Sequence, residues 1–309
     1  MIASCISNKR WKRETASRRF FFYFFIFFEK IPFVRYSVGM SDTLSKPNHK
    51  PEQRHQYLHW DEKTITDFSS DAVASLYDRG YVFTRKGKGV MHQTRSVRID
   101  LSKFELSSEN RRILKKIFDI EITHENIPYR DYSWPVAKLA KDFYSVKFDR
   151  LKSSDTAITV VTHKKAIMGA AKVKEILTDA TKSNFNSLLV YDQKRTKKVF
   201  AGQPMTERLG YAICYENTSP LDASLLHYCY PFYELDKSPK DMGLGMIIRA
   251  IEYAKTTHKR YVYLGSLQRP SDVYKLQFSG IEWFDGDIGK NGTWQTDIEA
   301  AKEILKKNS

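Results

Sequence analysis

A short glycine-containing segment, Lys240-Asp241-Met242-Gly243-Leu244-Gly245, constrains the fold of this chain most strongly. A run with helical periodicity follows from Met246 to Lys259, and the apolar run Tyr261-Val-Tyr-Leu-Gly265 comes next. Glycine allows a ligand close to the backbone, and a helix N-terminus offers unpaired N–H groups to an anion. We therefore predict a phosphate-binding turn formed by Lys240, Gly243, Leu244 and Gly245. A Gly-x-Gly pair alone fits a helix C-cap or an ordinary turn equally well.

The segments around this turn predict a sheet. The stretch from Ala223 to Leu235 is rich in aromatic and branched residues, as strands are, and Gly210 to Tyr215 precedes it with the same character. The order of elements predicts an α+β fold, a mixed sheet flanked by helices with a smaller N-terminal α/β segment packed on it. Ligands of such sheets collect at strand ends, so Tyr263, Leu264 and Gly265 are predicted to line the site.

Composition limits the class of protein. The chain has 309 residues of which 41% are hydrophobic, enough to exclude wholesale disorder. Its formal net charge of +15 favours an anionic partner such as nucleic acid, although a merely basic surface is the alternative. Its three cysteines, Cys5, Cys214 and Cys229, form no CxxC pair, which excludes a disulfide framework and favours a reducing compartment. We expect a cytoplasmic protein, also found in the nucleus.

The first residues differ in character from the rest. Residues 1–56 are predicted to be a leader or a disordered tail. They include nine consecutive apolar residues from Phe20 to Phe28, about half of what a membrane span needs. No small-residue cleavage site follows, and Met40 opens an ordinary polar segment, so it is a candidate for the true start. No membrane association is expected.

Basic residues concentrate in the next part of the chain. Helical spacing brings Arg111 beside Lys115, and Arg112 beside Lys116, on the surface of one predicted helix. Such a face suits the phosphates of RNA, although a charge run on a helix is often only solvated. The predicted tRNA-binding set is Arg79, Arg85, Lys86, Lys88, Arg98, Arg111, Arg112, Lys115 and Lys116.

Two blocks, at about 57–118 and 205–285, resemble a known family in order and spacing. The first block contains Leu76-Tyr-Asp-Arg-Gly-Tyr81, Val97-Arg-Ile-Asp100 and the run from Ser102 to Lys116. The second contains Phe232-Tyr-Glu-Leu-Asp236, Gly243-Leu-Gly245, Ile251-Glu-Tyr-Ala254, Tyr261-Val-Tyr-Leu-Gly265, Tyr274-Lys275 and Phe278. Together they resemble the arginyl-tRNA–protein transferases and their bacterial leucyl-transferring relatives.

The resemblance implies an architecture and an activity. It implies a transferase-type N-terminal domain at 57–118, a GNAT-like aminoacyltransferase domain at 119–295 and a terminal helix at 296–309. The implied reaction moves an amino acid, arginine in the first instance, from charged tRNA to the N-terminal α-amine of an acceptor protein, as in N-degron formation. Aminoacyl-tRNA is then the co-substrate, no other cofactor is expected, and the chain acts as a monomer on protein N-termini.

The chain departs from the family at its cysteines. Family members usually hold a metal or cluster with N-terminal cysteines, a CxxC and a later pair. Here the later pair falls at Met91-His92, and the earlier region offers only His55 and His59. Their i, i+4 spacing would suit a metal on a helix, but histidines in a polar tail are commonly solvated. We therefore predict no metal site.

The chemistry of transfer identifies two catalytic candidates. An aminoacyl ester is already activated, so the protein must align amine and carbonyl and stabilise the tetrahedral oxyanion. Tyr274 is a candidate proton donor to the departing ribose oxygen, and Lys275 a candidate partner for a phosphate or an acceptor carboxylate. A packing tyrosine and a solvated lysine are the alternatives. Two other functions stay open, a CoA-dependent GNAT N-acetyltransferase and an inactive module that binds tRNA or degrons.

Overall fold

The computed structural model describes residues 59–149, 168–200, 203–218, 221–286 and 292–307. The predicted leader or tail at 1–56, with its candidate start at Met40, lies outside the described residues. Within those ranges no helix has both the length and the apolar character needed to cross a bilayer.

The described residues form eleven strands and six α-helices. The strands are β1 (Asp61–Thr64), β2 (Tyr81–Phe83), β3 (Val90–Gln93), β4 (Ser96–Asp100), β5 (Ile120–Asn126), β6 (Ser187–Phe200), β7 (Gln203–Asn217), β8 (Leu225–Tyr233), β9 (Tyr261–Ser266), β10 (Ile281–Asp285) and β11 (Thr293–Gln295). The α-helices are α1 (Ser70–Asp78), α2 (Ser108–Lys116), α3 (Trp134–Asp149), α4 (Ala170–Thr178), α5 (Met242–Thr256) and α6 (Ile298–Lys307). Two 3-10 helices cover Leu221–Ala223 and Pro270–Gln277.

The strands form two sheets. A three-stranded sheet has the order β1-β3-β2, and an eight-stranded sheet has the order β11-β10-β4-β9-β8-β7-β6-β5. In the large sheet β8 and β9 are parallel and are joined through α5, whereas the other neighbours are antiparallel. The predicted mixed sheet flanked by helices is confirmed, and so is the order of strand, turn, helix and strand around α5.

Helices cover both faces of the large sheet. Alternate residues of β6 divide between two cores: Leu189 and Tyr191 pack with α2, α5 and α6, and Leu188 and Val190 pack with α1, α3 and α4. All four side chains are 0% exposed, as expected for a strand covered on both sides. Each fully buried apolar side chain of this size contributes about 1.5–3 kcal/mol, so these alternating rows fix the register of the sheet.

The N-terminal segment contributes to both sheets. Strands β1, β2 and β3 form the small sheet, but β4 lies inside the large sheet between β9 and β10. The predicted boundary between 118 and 119 therefore does not separate the strands of the large sheet, and the domain division stays a prediction. Helix α6 occupies most of the predicted terminal helix at 296–309.

Candidate active site

The parallel strands β8 and β9 separate partway along their length. They pair from Leu225 with Tyr261 to His227 with Tyr263, and both strands continue beyond that register. Gly265, in the part of β9 that no longer pairs with β8, has a φ of 77°, a left-handed conformation that favours glycine. A side chain there would meet no atom within 4 Å, so the backbone of Gly265 is open to a ligand. Separated strands leave backbone groups that can bind an oxyanion.

The other two residues predicted in this strand point into the protein. Tyr263 is 1% exposed and Leu264 is 6% exposed. The Tyr263 hydroxyl accepts a hydrogen bond from Arg98 at 3.3 Å. Their side chains therefore support the strand from within, and only their backbone groups could contact a substrate.

Tyr274 and Lys275 follow β9 in the 3-10 helix Pro270–Gln277. Lys275 is buried: its Nζ donates to the Ser266 carbonyl at 2.6 Å and lies 3.1 Å from a carboxylate oxygen of Asp272. These contacts fasten the 3-10 helix to the end of β9, so the ammonium already serves a structural role there. Tyr274 is 43% exposed. Desolvation and the nearby Asp272 carboxylate raise the pKa of its hydroxyl to about 12, which keeps it protonated.

Tyr274 and Arg85 both lie near the buried hydroxyl of Tyr144. Burial raises the pKa of Tyr144 well above its ordinary value, and the nearby hydroxyls of Tyr230 and Tyr274 add to the shift while Arg85 opposes it. The Tyr144 hydroxyl donates to the Pro231 carbonyl on β8 at 3.0 Å, and the Arg85 guanidinium lies 5.9 Å from the Tyr230 ring centre. The predicted tRNA-binding residue Arg85 and the predicted proton donor Tyr274 therefore share Tyr144 as a neighbour.

A buried histidine lies where β8 and β9 begin to separate. His227 Nδ1 is 2.9 Å from the Tyr77 hydroxyl, and both side chains are in the core. Burial, with the charge of Lys275, lowers the pKa of His227 to about 3, so the imidazole is neutral at physiological pH. It can orient Tyr77 but cannot cycle protons there. This pair was not predicted from the sequence, although a single histidine within an apolar strand could have indicated a buried, hydrogen-bonded imidazole.

Charged side chains of helix α2 lie next to the N-terminus of α5. Asp241 precedes the helix with a φ of 70°. Its carboxylate accepts a hydrogen bond from Lys116 Nζ at 2.5 Å, and an Arg112 nitrogen lies 3.8 Å away. The Lys116 hydrogen bond is the main reason that the pKa of Asp241 is lowered. The structure thus brings two predicted tRNA-binding residues of α2 to the predicted phosphate-binding turn.

A cleft of about 440 Å³ opens beside this turn. Its lining residues come from α3, the end of β8, the loop between β8 and α5, and the start of α5: Lys147, Tyr233, Leu235, Ser238, Pro239, Lys240, Asp241, Met242, Gly243 and Leu244. Three of the four predicted phosphate-binding residues therefore share one open surface. A phosphate there would compete with Asp241 for the Lys116 ammonium.

Gly245 has a different role from the predicted one. A Cβ at this position would lie 2.6 Å from Cδ1 of Ile117, which is 0% exposed. The missing side chain thus lets α5 pack closely on the end of α2. Gly245 is buried and outside the lining of the cleft, so the predicted ligand contact is replaced by a packing contact.

Replacing Gly245 by alanine should lower the free energy of unfolding by about 1–2 kcal/mol. Overpacking at a buried position costs about 1–3 kcal/mol, and the higher helix propensity of alanine offsets up to about 1 kcal/mol of that cost. Adding Ile117→Val should restore most of the loss, because it removes the clashing Cδ1. Gly243→Ala is the matched control, since its Cβ would lie 3.3 Å from the Tyr233 hydroxyl beside the cleft. Chemical denaturation measures all of them, and equal losses at 243 and 245 would contradict the packing role.

The predicted tRNA-binding residues fall into three locations. Four lie on α2, and three lie on or beside the loop between β2 and β3, where Lys88 Nζ donates to the Ser183 carbonyl at 2.6 Å. Arg79 ends α1. The exposed members are Arg79, Lys86, Lys88, Arg111, Arg112, Lys115 and Lys116.

Arg98 is the exception, because it is only 6% exposed. Its guanidinium donates to Glu282 at 2.8 Å and to Asp78 at 2.9 Å. The rings of Tyr261 and Trp294 lie 4.1 Å and 3.8 Å from its carbon centre. Arg98 is thus an internal cation, and we withdraw it from the predicted RNA-binding face.

The chain does not fit the cysteine-held metal or cluster that the resemblance implies. Cys214 and Cys229, the cysteines among the described residues, are free thiols of β7 and β8 in the large sheet. Burial raises the pKa of both, which disfavours the thiolate that a metal requires. His59 lies just before β1 and not on a helix, so the i, i+4 spacing of His55 and His59 does not indicate a helical metal site. His55 lies outside the described residues.

No family model matches the chain. It is similar to the aspartate/glutamate leucyltransferase of Dinoroseobacter shibae (strain DSM 16493 / NCIMB 14021 / DFL 12), with 28% identity over 204 residues. The match covers 65% of this chain and 61% of that protein, less than two thirds of its length. The name of the relative concerns leucyl transfer, so arginyl transfer stays a prediction.

Among solved structures the chain is similar to L-PGS from Bacillus licheniformis, with a TM-score of 0.35 and 13% identity over 63% of this chain and 49% of the other. It is also similar to FemX, with a TM-score of 0.33 and 10% identity over 76% of this chain and 65% of the other. Scores this low add nothing to the mixed sheet and flanking helices described above.

Proposed function

We propose that this chain transfers an aminoacyl group from a charged tRNA to the N-terminal α-amine of an acceptor protein. The observation that carries the proposal is the separation of β8 and β9 beside Tyr274, whose hydroxyl stays protonated at physiological pH. The similarity to a leucyltransferase supports it. The donated residue is arginine, as the sequence resemblance implies, or leucine, as the name of that relative suggests. Either would create a new N-terminus of the N-degron type.

The reaction requires positioning and charge stabilisation rather than strong activation. The neutral α-amine, whose pKa is about 7.7–8.0, attacks the ester carbonyl, and a tetrahedral oxyanion forms. Backbone N–H groups of the separated strands would stabilise that oxyanion. As the intermediate collapses, the C–O bond to the ribose breaks, and Tyr274 would donate a proton to the departing oxygen. The proton lost by the amine returns to Tyr274 through solvent.

The tRNA would lie along α2 and the start of α5. Arg111 and Lys115 are exposed on α2, and Arg112 and Lys116 reach the α5 N-terminus. These cations and the positive end of the helix dipole form one surface that would bind the phosphates of the acceptor arm. The exposed position of Lys240 at the cleft extends this surface.

Replacing both Arg111 and Lys115 by alanine should weaken tRNA binding and reduce its salt dependence. Loss of two phosphate contacts lowers the slope of log affinity against log salt by about 1.5. Filter binding over a range of salt concentrations measures that slope. Lys306→Ala with Lys307→Ala removes the same charge from the exposed end of α6 and should leave the slope nearly unchanged. An equal effect of both pairs would indicate only a general charge effect.

The function is tested by following label from charged tRNA into peptide. The full chain is mixed with labelled arginyl- or leucyl-tRNA and with peptides that begin with Asp, Glu, Arg or Lys. Transfer establishes the activity and names donor and acceptor. Binding of tRNA without transfer would indicate a binding module, and acetyl transfer from acetyl-CoA without tRNA binding would indicate an N-acetyltransferase. Tyr253→Phe, a tyrosine of α5 bonded to Glu216, is the control variant that should retain activity.

A further inference from the structure

A second group of chemically functional side chains lies in the three-stranded sheet. Glu62 of β1 and His92 of β3 are direct cross-strand partners, and His92 Nε2 lies 2.7 Å from Glu62 Oε2. His59 stacks its ring on that of His92, with centroids 4.5 Å apart and planes inclined by 17°. Across the described ranges, this is the one place where three His, Cys, Asp or Glu side chains bring ligand atoms within 4.8 Å of one another.

The spacing of these atoms suits a tetrahedral ion. Zinc binds imidazole nitrogen and carboxylate oxygen at about 2.0–2.2 Å, which places two ligands of a tetrahedron about 3.3 Å apart. The observed separations run from 2.7 Å to at most 4.8 Å, so they bracket that value. The His59 ring, which is stacked on His92, would have to turn so that its nitrogen faces the ion, and its exposed position leaves room for that rotation. Two imidazoles and one carboxylate are a known zinc donor set, with the fourth position left for water.

We propose that His59, Glu62 and His92 bind one divalent transition-metal ion, of which Zn²⁺ is the probe. This proposal departs from the sequence-based prediction of no metal site, which paired His59 with His55 and did not consider Glu62. The site is separate from β8 and β9 and does not depend on the proposed transferase activity. His59 and Glu62 are exposed, which gives an ion and a water ligand access, while His92 is buried behind them.

Lys86 would compete with the ion. Its Nζ lies 2.6 Å from the same Glu62 oxygen that His92 contacts, so a cation already occupies part of the position that a metal would take. Both Lys86 and Glu62 are well exposed, and an ion pair between exposed side chains contributes little in water. An entering ion can therefore displace the ammonium into solvent at little cost.

Metal binding would secure the edge of the small sheet. Strand β1 is an edge strand of only four residues, and none of them is buried. Backbone pairing with β3 therefore holds β1 with little apolar burial. An ion that joins His59 and Glu62 to His92 would fasten β1 to β3, and it would stabilise the folded chain by mass action.

The test is a metal titration of the full chain, freed of metal by chelation. Isothermal titration should show that the wild type binds one equivalent of Zn²⁺. The affinity for that ion should fall by more than about 100-fold in each of His59→Ala, Glu62→Gln and His92→Ala. Titration with Co²⁺ should give the visible absorption of a tetrahedral complex in the wild type and not in these variants. Lys86→Met should bind up to about fivefold more tightly, since its competing ion pair is gone.

His124 provides the matched control. Its Nε2 lies 3.5 Å from Glu216 and its ring stacks on Tyr253, but among the described residues no second histidine completes a group of three ligands there. His124→Ala should therefore leave the number of bound Zn²⁺ ions and their affinity unchanged. His59 and Glu62 are exposed, so their variants should fold even if His92→Ala does not, and circular dichroism checks each. Wild-type protein that binds no Zn²⁺, or His59→Ala and Glu62→Gln variants that bind it as the wild type does, would overturn the proposal.

Discussion

Replacing Tyr274 by phenylalanine should lower the rate of aminoacyl transfer by about 10²–10⁴-fold, the usual contribution of a general acid. The hydroxyl is the one group removed, and the ring that remains should preserve the local packing. Because the pKa of Tyr274 is about 12, the wild type should show no loss of rate on the alkaline side over the range in which the ester survives. Its rate should instead rise as the acceptor α-amine loses its proton. Single-turnover transfer from charged tRNA to peptide measures both effects.

Controls separate this chemical role from binding and folding. The affinity of Tyr274→Phe for tRNA and its melting temperature should both stay at the wild-type values. Tyr253→Phe removes a hydroxyl that is bonded to Glu216, at 3.0 Å, and should leave the rate nearly unchanged. If Tyr274→Phe transfers at the wild-type rate, the proton donor is another group and the tyrosine only packs.

Replacing Arg98 by methionine should lower the free energy of unfolding by about 3–5 kcal/mol. The change removes the cation between Asp78 and Glu282, and Glu282 is only 8% exposed. Glu282 then keeps only the exposed Lys103, whose Nζ lies 3.1 Å from its other oxygen, and the incomplete pairing of this buried carboxylate accounts for most of the loss. The contacts with the rings of Tyr261 and Trp294 disappear as well. Denaturant unfolding followed by tryptophan fluorescence measures the change.

The double variant Arg98→Met with Glu282→Met tests the cause. It removes both charges, so it should recover a large part of the loss. Arg111→Met, at an exposed position on α2, is the single-site control and should change the free energy of unfolding by no more than about 0.5 kcal/mol. A loss at Arg98 as small as that at Arg111 would mean that the buried pair contributes nothing to stability.

The sequence predicted what depends on neighbours along the chain. Helix α5 and the strand at Tyr261 follow from local periodicity, and both are present. The helix begins at Met242, earlier than predicted, so Gly243 and Gly245 stand in its first turn and not in a turn before it. Strand β5 and helix α3 follow in the next part of the chain. Pro135 stands in the first turn of α3, where proline is tolerated.

Features that depend on distant pairing could not be predicted. Arg98 resembled its exposed basic neighbours because Glu282 and Trp294, which bury it, lie almost two hundred residues further along the chain. Gly245 resembled a ligand-binding glycine because its contact with Ile117 forms only when α2 and α5 pack together. The meeting of Lys116 with Asp241 is equally non-local. Of the candidate site, the glycine segment at the start of α5 and the candidate Tyr274, whose role stays a prediction, could be named from sequence, whereas the contacts of Lys275, His227 and Arg98 required the structure.

The place of β4 between β9 and β10 has a consequence for biosynthesis. During translation β4 is made before its partner strands β9 and β10, which follow only after β5 to β8. Until then the apolar side chains of Val97 and Ile99, each 0% exposed in the folded protein, lack the two strands that cover them. The nascent chain therefore carries an unpaired apolar strand until β9 and β10 have been made, the kind of segment that chaperones protect. Closure of the large sheet around β4 waits for those two strands, and a chain shortened before β9 leaves β4 without either neighbour.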